Sequence, residues 1–495
     1  MLNSYFKTEL KYTIKDMKMY LRHGGLLTIL IVFFCYSLLA QKKVEEIPIP
    51  NKPQIAWQQA AFGVVFHYDL HVFDGKRYNQ TINRITPIAD YNIFNPKELS
   101  TDQWIRKAKA AGAKFALLTA THETGFALFQ SDVNPYCLKA LKWKNGKGDI
   151  VQDFVNSCRK YGLQPGLYIG IRWNSFFGVH DFKVQGSDSA FRANRQLYYN
   201  KMVEGMVKEL CTHYGPLFEI WFDGGAANPK DDAPNVLPIV EKYQPDCLFY
   251  WNAQRADARW GGSETGTVGY PCWATFPFPN TVSKEYPKIN ADNNYLLKHG
   301  DNNGKYWMSA MADAPMRGYN GRHEWFWEPG DDTHIWPLHD LINMYYKSVG
   351  RNSTLILGLT PDTSGLVPKA DSMRFSVFGD EIKSRFDNPL AEKNGEGKSF
   401  IFNFPKEQTV NQIVLQEDIA KGERVQQYQF LILKKRKWQL VCEGTSVGNK
   451  RIQTFKSVAG KRFKLIITKS KASTEMKVIQ LYNIINNEQI YSGEM

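Results

Sequence analysis

Three short apolar runs of the 495-residue chain end in polar side chains that could do chemistry: Phe66-His67, Thr121-His122-Glu123 and Trp221-Phe222-Asp223-Gly224-Gly225. In the third, a carboxylate stands after an aromatic pair and two glycines free the backbone beside it. Asp-Gly is also a common turn pair, so the local string by itself admits a purely conformational reading. The chemical reading is a carboxylate nucleophile on a rigid strand end, which a retaining glycosidase needs to capture an oxocarbenium-like centre. A second carboxyl group must then stand roughly 5–5.5 Å away as acid/base. Glu264, in the Gly-rich segment Arg259-Trp260-Gly261-Gly262-Ser263-Glu264-Thr265-Gly266, is the first choice, with Trp260 nearby to desolvate it and lift its pKa. Asp313, Glu324 and Glu328 are the other candidates.

Rival chemistries find less support. His67-x-x-x-His71 and His122-Glu123 offer metal-ligand types, but neither forms a helical His-Glu-x-x-His motif, so no metal is expected. Asp223-Gly224-Gly225-Ala226 lacks the later glycine of a phosphate loop and places an acid where a pyrophosphate would sit, so no cofactor is expected. The cysteines at 137, 158, 211, 247, 272 and 442 form no CxxC spacing, and one or two disulfides stay open.

Reactive groups at strand ends imply elements that hold those ends together. From 60 to 361, short apolar runs alternate with amphipathic stretches, the pattern of a parallel sheet covered by helices. The candidate strands are 61–67, 114–121, 165–171, 217–223, 247–252, 267–272, 305–311 and 354–359. Eight strands is the number of a (β/α)8-type TIM barrel, whose chemistry gathers at the carboxyl ends of the strands; a doubly wound open sheet is the alternative. Helices are expected over 102–111, 149–161, 190–214, 235–243 and 339–349. After Pro361 a short helical stretch, 371–386, leads into alternating strand-like runs without a long helix, which reads as an all-β sandwich. The expected organisation is residues 1–40 a signal peptide, 41–370 the catalytic barrel and 371–495 the C-terminal sandwich.

The first segment has the export pattern: Lys15, Lys18 and Arg22 precede an uncharged run over 24–40 that ends in small residues, with cleavage expected after Ala40. A periplasmic or secreted protein follows, with a retained anchor as the alternative. The formal charge of +13 is unevenly spread: 41–370 carries a net +3 and 371–495 a net +7. Within 421–480 there are 15 basic residues against three acidic ones, including Lys434-Lys435-Arg436-Lys437. This is a solvated face or a polyanion-binding patch at a cell surface. The near-neutral barrel does not suggest a nucleic-acid partner.

Several strings taken together carry a resemblance. They are Phe62-Gly63-Val64-Val65-Phe66-His67; the segment 111–120; His122 with Gly125-Phe126; Trp143-Lys144-Asn145-Gly146-Lys147-Gly148-Asp149; Tyr161-Gly162-Leu163 with Gly166-Leu167-Tyr168; Trp221-Phe222-Asp223-Gly224; and Ser348-Val349-Gly350-Arg351-Asn352. They resemble the α-L-fucosidases of glycoside hydrolase family 29, particularly the branch acting on α-1,3/1,4-linked fucose. The resemblance implies an exo-acting retaining hydrolase of fucosylated oligosaccharides or glycoconjugates, with Asp223 as nucleophile and Glu264 as acid/base. It implies that His67 and His122 hydrogen-bond the fucose hydroxyls. Glu123, Trp173, Trp221, Arg259 and Trp325 are the further candidate substrate contacts, with 324–330 a stacking platform for the acceptor sugar.

Three departures bear on specificity. The family string has two adjacent histidines where this chain has His122-Glu123, so a donor-capable ring becomes an acceptor-only carboxylate when ionised. After His67 stands Tyr68-Asp69-Leu70-His71 in place of an aromatic and glycine, and Met311 stands where the family carries a glutamate. A glycosidase of altered, galactoside-like specificity and a non-catalytic carbohydrate-binding protein on a degenerate barrel are the alternatives.

Overall fold

Strands buried on both faces read as unbroken apolar runs, and such runs pair side by side here. β1 (Phe62–Phe66), β2 (Phe115–Thr121), β3 (Gln164–Ile169), β4 (Glu219–Ala226), β5 (Leu248–Asn252), β6 (Ala258–Trp260), β7 (Ser309–Pro315) and β8 (Thr354–Leu359) form one sheet in the order β5-β4-β3-β2-β1-β8-β7-β6. Every ladder in it is parallel. The computed structural model describes residues 47–280, 295–321 and 325–485; the leader expected over 1–40 and the carboxylate Glu324 lie outside the described residues.

The sheet is a nearly closed eight-stranded barrel. At the seam between β5 and β6 the Asp257 N–H donates to the Phe249 carbonyl (3.1 Å). The Asp257 carboxylate accepts from the Phe249 N–H (2.9 Å), so one residue supplies what a neighbouring strand would. Two strand placements differ from the sequence reading. The sixth strand is Ala258–Trp260, and 267–272 is not a strand. The run 305–311 divides: Tyr306–Trp307 pairs antiparallel with Thr275–Phe276, and the barrel strand begins at Ser309.

Inside the barrel, Val65, Phe115, Leu117, Tyr168, Trp221, Tyr250, Met311 and Ile356 pack together with Trp57. Trp57 belongs to helix Lys52–Ala60, whose start is fixed by a capping box between Asn51 and Gln54. It plugs the barrel and donates its indole N–H to Glu219 Oε2 (2.7 Å). Outside, Ser100 and Asp149 cap helices Thr101–Ala110 and Ile150–Tyr161. Ser189–His213, Leu237–Tyr243 and Leu338–Lys347 complete the set expected from the sequence.

Helix Lys369–Phe386 leads into a six-stranded antiparallel sheet: β9 (Ala391–Glu396), β10 (Ser399–Glu417), β11 (Val425–Lys434), β12 (Lys437–Gly444), β13 (Arg451–Ser470) and β14 (Glu475–Tyr482), in the order β9-β14-β10-β13-β11-β12. Register shifts in the long β10 and β13 ladder let the sheet bend over its own core of Phe400, Phe402, Ile413, Leu415, Phe430, Phe463 and Leu465. The string Gly350-Arg351-Asn352 turns out to be a joint: Asn352 N–H donates to the Lys450 carbonyl (2.9 Å), Ile452 N–H to the Gly350 carbonyl (3.0 Å) and Asn449 N–H to Asn352 Oδ1 (2.7 Å). No disulfide joins the six described cysteines.

Candidate active site

The carboxyl ends of the barrel strands bring together residues far apart in the chain. His67 follows β1, His122 and Glu123 follow β2, Asp223 lies in β4, Glu264 in the loop after β6 and Asp313 in β7. The Asp-Gly-Gly string has a local reason. Gly224 and Gly225 take φ of +65° and +77°, and a Cβ on them would stand 2.8 Å from Arg172 Cδ and 2.7 Å from the Trp251 ring. Only glycine fits such a backbone at that distance.

Burial raises the pKa of the Asp223 carboxyl, and the charge of Glu264 adds to the rise; the Tyr168 hydroxyl, which donates to it, and the Arg84 cation pull it back. Asp313 is pushed well above the usual carboxylate range, first by burial and then by the charge of Glu264. Three carboxylates therefore sense one another across the barrel mouth. Two tryptophans sort them. The Trp325 indole donates to Glu264 Oε2 (3.1 Å), and the Trp260 indole donates to Asp313 Oδ1 (2.9 Å). Trp260 thus serves Asp313, although the sequence places it beside Glu264. The loop bearing Glu264 is pinned to β7 at both ends, by Gly261 N–H to the Met311 carbonyl (2.7 Å) and Gly266 N–H to the Asp313 carbonyl (2.8 Å).

His67 and His122 are buried with rings 5.5 Å apart, edge to face. His122 stacks on Tyr168, and Phe326 stands edge-on to both imidazoles. Burial lowers the His67 pKa to about 3 and holds His122 well below its usual value, so both rings are neutral near pH 7. Among the described residues neither Nδ1 has a hydrogen-bond partner, and a neutral imidazole offers one donor and one acceptor. Trp325 lies 4.9 Å from His67, across Gly358 of β8, where a Cβ would stand 2.6 Å from its ring.

Of the other residues singled out by sequence, Trp221 is a buried wall of the barrel interior against Tyr168 and Tyr250. Trp173 lies beside Gly224 and carries the Arg84 guanidinium over its ring. Glu123 is buried and committed: Tyr78 donates its hydroxyl to Oε2 (2.8 Å) and Arg84 donates Nε–H to Oε1 (2.7 Å). Arg259 is not brought to this cluster. It is fully buried, and its guanidinium donates to the carbonyls of Leu297 (2.9 Å), Trp273 (2.9 Å) and Met308, which fixes loops around β6. Glu328 accepts from the Tyr78 N–H (2.7 Å) and so anchors the loop after β1. Met311 sits in the barrel interior, two residues below Asp313 on the same face.

Sequence reasoning missed Tyr168, Tyr78 and Arg84. Tyr168 alone had a signal, a polar-tipped ring near the end of an apolar strand; Arg84 and Tyr78 lie in a loop without a pattern. Among the described residues, no group of three or more His, Cys, Asp or Glu is arranged to hold a metal ion.

The α-L-fucosidase family profile matches residues 36–384. The chain is similar to α-L-fucosidase 1 of Arabidopsis thaliana, with 26% identity over 507 residues, 92% of this chain and 94% of that one. A solved structure from Bacteroides thetaiotaomicron, provisionally assigned as an α-L-fucosidase, is 59% identical with a TM-score of 0.87, over 89% of this chain and all of that one. A glycoside hydrolase 29 family member from an unknown rumen bacterium is 27% identical with a TM-score of 0.73, over 89% of this chain and 79% of that one.

Proposed function

Because the chain belongs to the α-L-fucosidase family and is a glycoside hydrolase, we propose that it removes terminal α-1,3/1,4-linked L-fucose from glycans by double displacement, with Asp223 as nucleophile and Glu264 as acid/base. The observation that carries this reading is the pair itself. Two carboxyl groups at the carboxyl ends of barrel strands lie close enough for the charge of one to raise the proton affinity of the other. Asp223 attacks the anomeric carbon while Glu264 gives its proton to the leaving oxygen; water then enters with Glu264 as base, and Asp223 departs. The Tyr168 hydroxyl aims the nucleophile, and its bond weakens as the carboxylate charge passes into the glycosyl ester. His67 and His122 supply neutral donors and acceptors for the sugar hydroxyls, and Trp325 supplies an apolar face.

The test is Asp223→Ala assayed on an aryl α-L-fucoside. Turnover should vanish while the thermal unfolding curve stays close to that of the parent; undiminished turnover would remove Asp223 from the mechanism. NMR of the product formed by the parent enzyme should show the α-anomer first, and a first-formed β-anomer would replace double displacement with inversion. Export belongs to the same proposal. It rests on the basic-then-apolar pattern of residues 1–40, and sequencing of the mature protein should read from Gln41.

A further inference from the structure

The carboxylate at position 123 raises a question about the sugar-binding wall, because a buried acid with both oxygens engaged has no donor to offer a hydroxyl. What it holds is Arg84. One guanidinium nitrogen of Arg84, Nε, bonds Glu123 Oε1 at 2.7 Å, and the Arg84 Cζ lies 3.6 Å from the centre of the Trp173 ring. That ring borders Gly224, the residue after Asp223: a Cβ built there would be 3.7 Å from it, and the ring also carries the Arg172 guanidinium at 4.4 Å. The Arg84 cation is also felt by Asp223 and by His122. Among the described residues, its two terminal nitrogens make no hydrogen bond or ion pair, yet its side chain is only 22% exposed. Four N–H groups thus stand partly exposed and uncommitted at the edge of the barrel mouth.

We propose that Arg84 is a specificity-determining residue that touches the substrate: its terminal nitrogens donate to hydroxyl oxygens of the sugar seated over Asp223. Glu123 is a positioning residue that acts through Arg84. The inference rests on the fucosidase reading and adds to it. The donor that the family places on a second histidine is supplied here by an arginine from the loop after β1. Glu123 is the residue that makes this possible, since a neutral ring would leave the guanidinium charge uncompensated. Tyr78 completes the clamp from the same loop, with its hydroxyl on Glu123 and its N–H on Glu328. Lysine would be a poor substitute, because the planar stack on Trp173 and the fork of donors belong to guanidinium.

The experiment compares Arg84→Met, Arg84→Lys, Glu123→Gln and the double variant Arg84→Met/Glu123→Gln on an aryl α-L-fucoside, with L-fucose as a competitive inhibitor. Loss of hydrogen bonds from a charged donor predicts a fall in kcat/KM of roughly 10- to 100-fold for Arg84→Met. Inhibition by L-fucose should weaken in step, and Arg84→Lys should recover less than half of the loss on a logarithmic scale. If Glu123 works through Arg84, the double variant is no worse than Arg84→Met alone. Should Arg84→Met unfold, Arg84→Gln keeps a polar tip over Trp173 and serves instead. An active parent whose Arg84→Met variant keeps full kcat/KM and full L-fucose inhibition would overturn the inference. Losses that multiply in the double variant would overturn the part given to Glu123. A parent that neither cleaves the fucoside nor binds L-fucose would overturn the fucosidase reading first and this one with it.

Discussion

Three carboxyl groups at the barrel mouth cannot all ionise cheaply, because each removes water from the others and like charges repel at low dielectric. Asp313 is driven further than Asp223 toward the protonated state, by burial and then by the Glu264 charge. A neutral Asp313 still accepts the Trp260 indole hydrogen bond at Oδ1. Asp313→Asn reproduces that neutral form, so its kcat/KM near pH 7 should stay within about tenfold of the parent. Asp313→Ala strands the indole N–H and opens a cavity beside the Glu264 loop; it should lose roughly 100-fold. Equal losses for both variants would mean that the carboxylate form of Asp313 is needed. Strand-end polarity made Asp223, His67 and His122 legible in the sequence, because a polar residue closing an apolar run has few conformational reasons to be there. Arg259 is singled out by its place in the string that resembles the acid/base loop, and a fully buried arginine that satisfies backbone carbonyls has the same local string as one that faces a ligand.

At the scale of elements, the sequence was readable where periodicity had room to act. The helices over 101–110, 150–161 and 189–213 carry caps and apolar stripes of ten residues or more. β6 has only three residues, too few for a strand signal, and its place at the seam depends on Asp257 bonding to Phe249, a tertiary fact. The run 267–272 looks like the sixth strand but lies in a connection, where Tyr270 stacks against Arg451 of the C-terminal sheet. Helix Lys52–Ala60 carries no strong pattern, yet it closes the barrel floor and buries Glu219 against Trp57. Burial raises the Glu219 pKa from 4.5 to about 8, opposed only by the Trp57 bond, and among the described residues its Oε1 has no partner. The folded state therefore holds a proton that the unfolded state releases between these values. The stabilisation is complete below pH 4.5 and is lost as pH rises through about 8, by an amount on the order of a few kcal/mol. Glu219→Gln mimics the protonated acid at all pH values. Its melting temperature should gain several degrees on the parent between pH 6 and pH 9, and a gap that does not change with pH would show that the carboxyl does not titrate in that window.

At the scale of the whole molecule, the positive charge is carried away from the chemistry. The barrel segment 41–370 nets only +3, while 371–495 nets +7. Folding concentrates that excess further. The hairpin joining β11 and β12 turns at Lys435 and Arg436, both with positive φ, and pairs Lys434 with Lys437. On β13, next to β11, Arg462 and Lys464 flank Trp438, with the Lys464 ammonium 4.3 Å from the centre of its ring. Two basic strings nearly thirty residues apart in the chain thus share one end of the sheet, beside a partly exposed aromatic ring. Lys437 on the edge strand β12 guards that edge against pairing with another chain, and the same cluster presents several cations at once to any polyanion. Replacing Lys435-Arg436 by Asn-Gly removes two charges and gives the turn the residues its positive φ angles favour, so charge is changed without straining the hairpin. The variant should elute from a heparin column at clearly lower salt than the parent, while its turnover of an aryl fucoside and its melting temperature are unchanged. Elution at the same salt would assign the basic hairpin to solvation alone, and a loss of turnover would show that the sheet influences the barrel through the Asn352 joint.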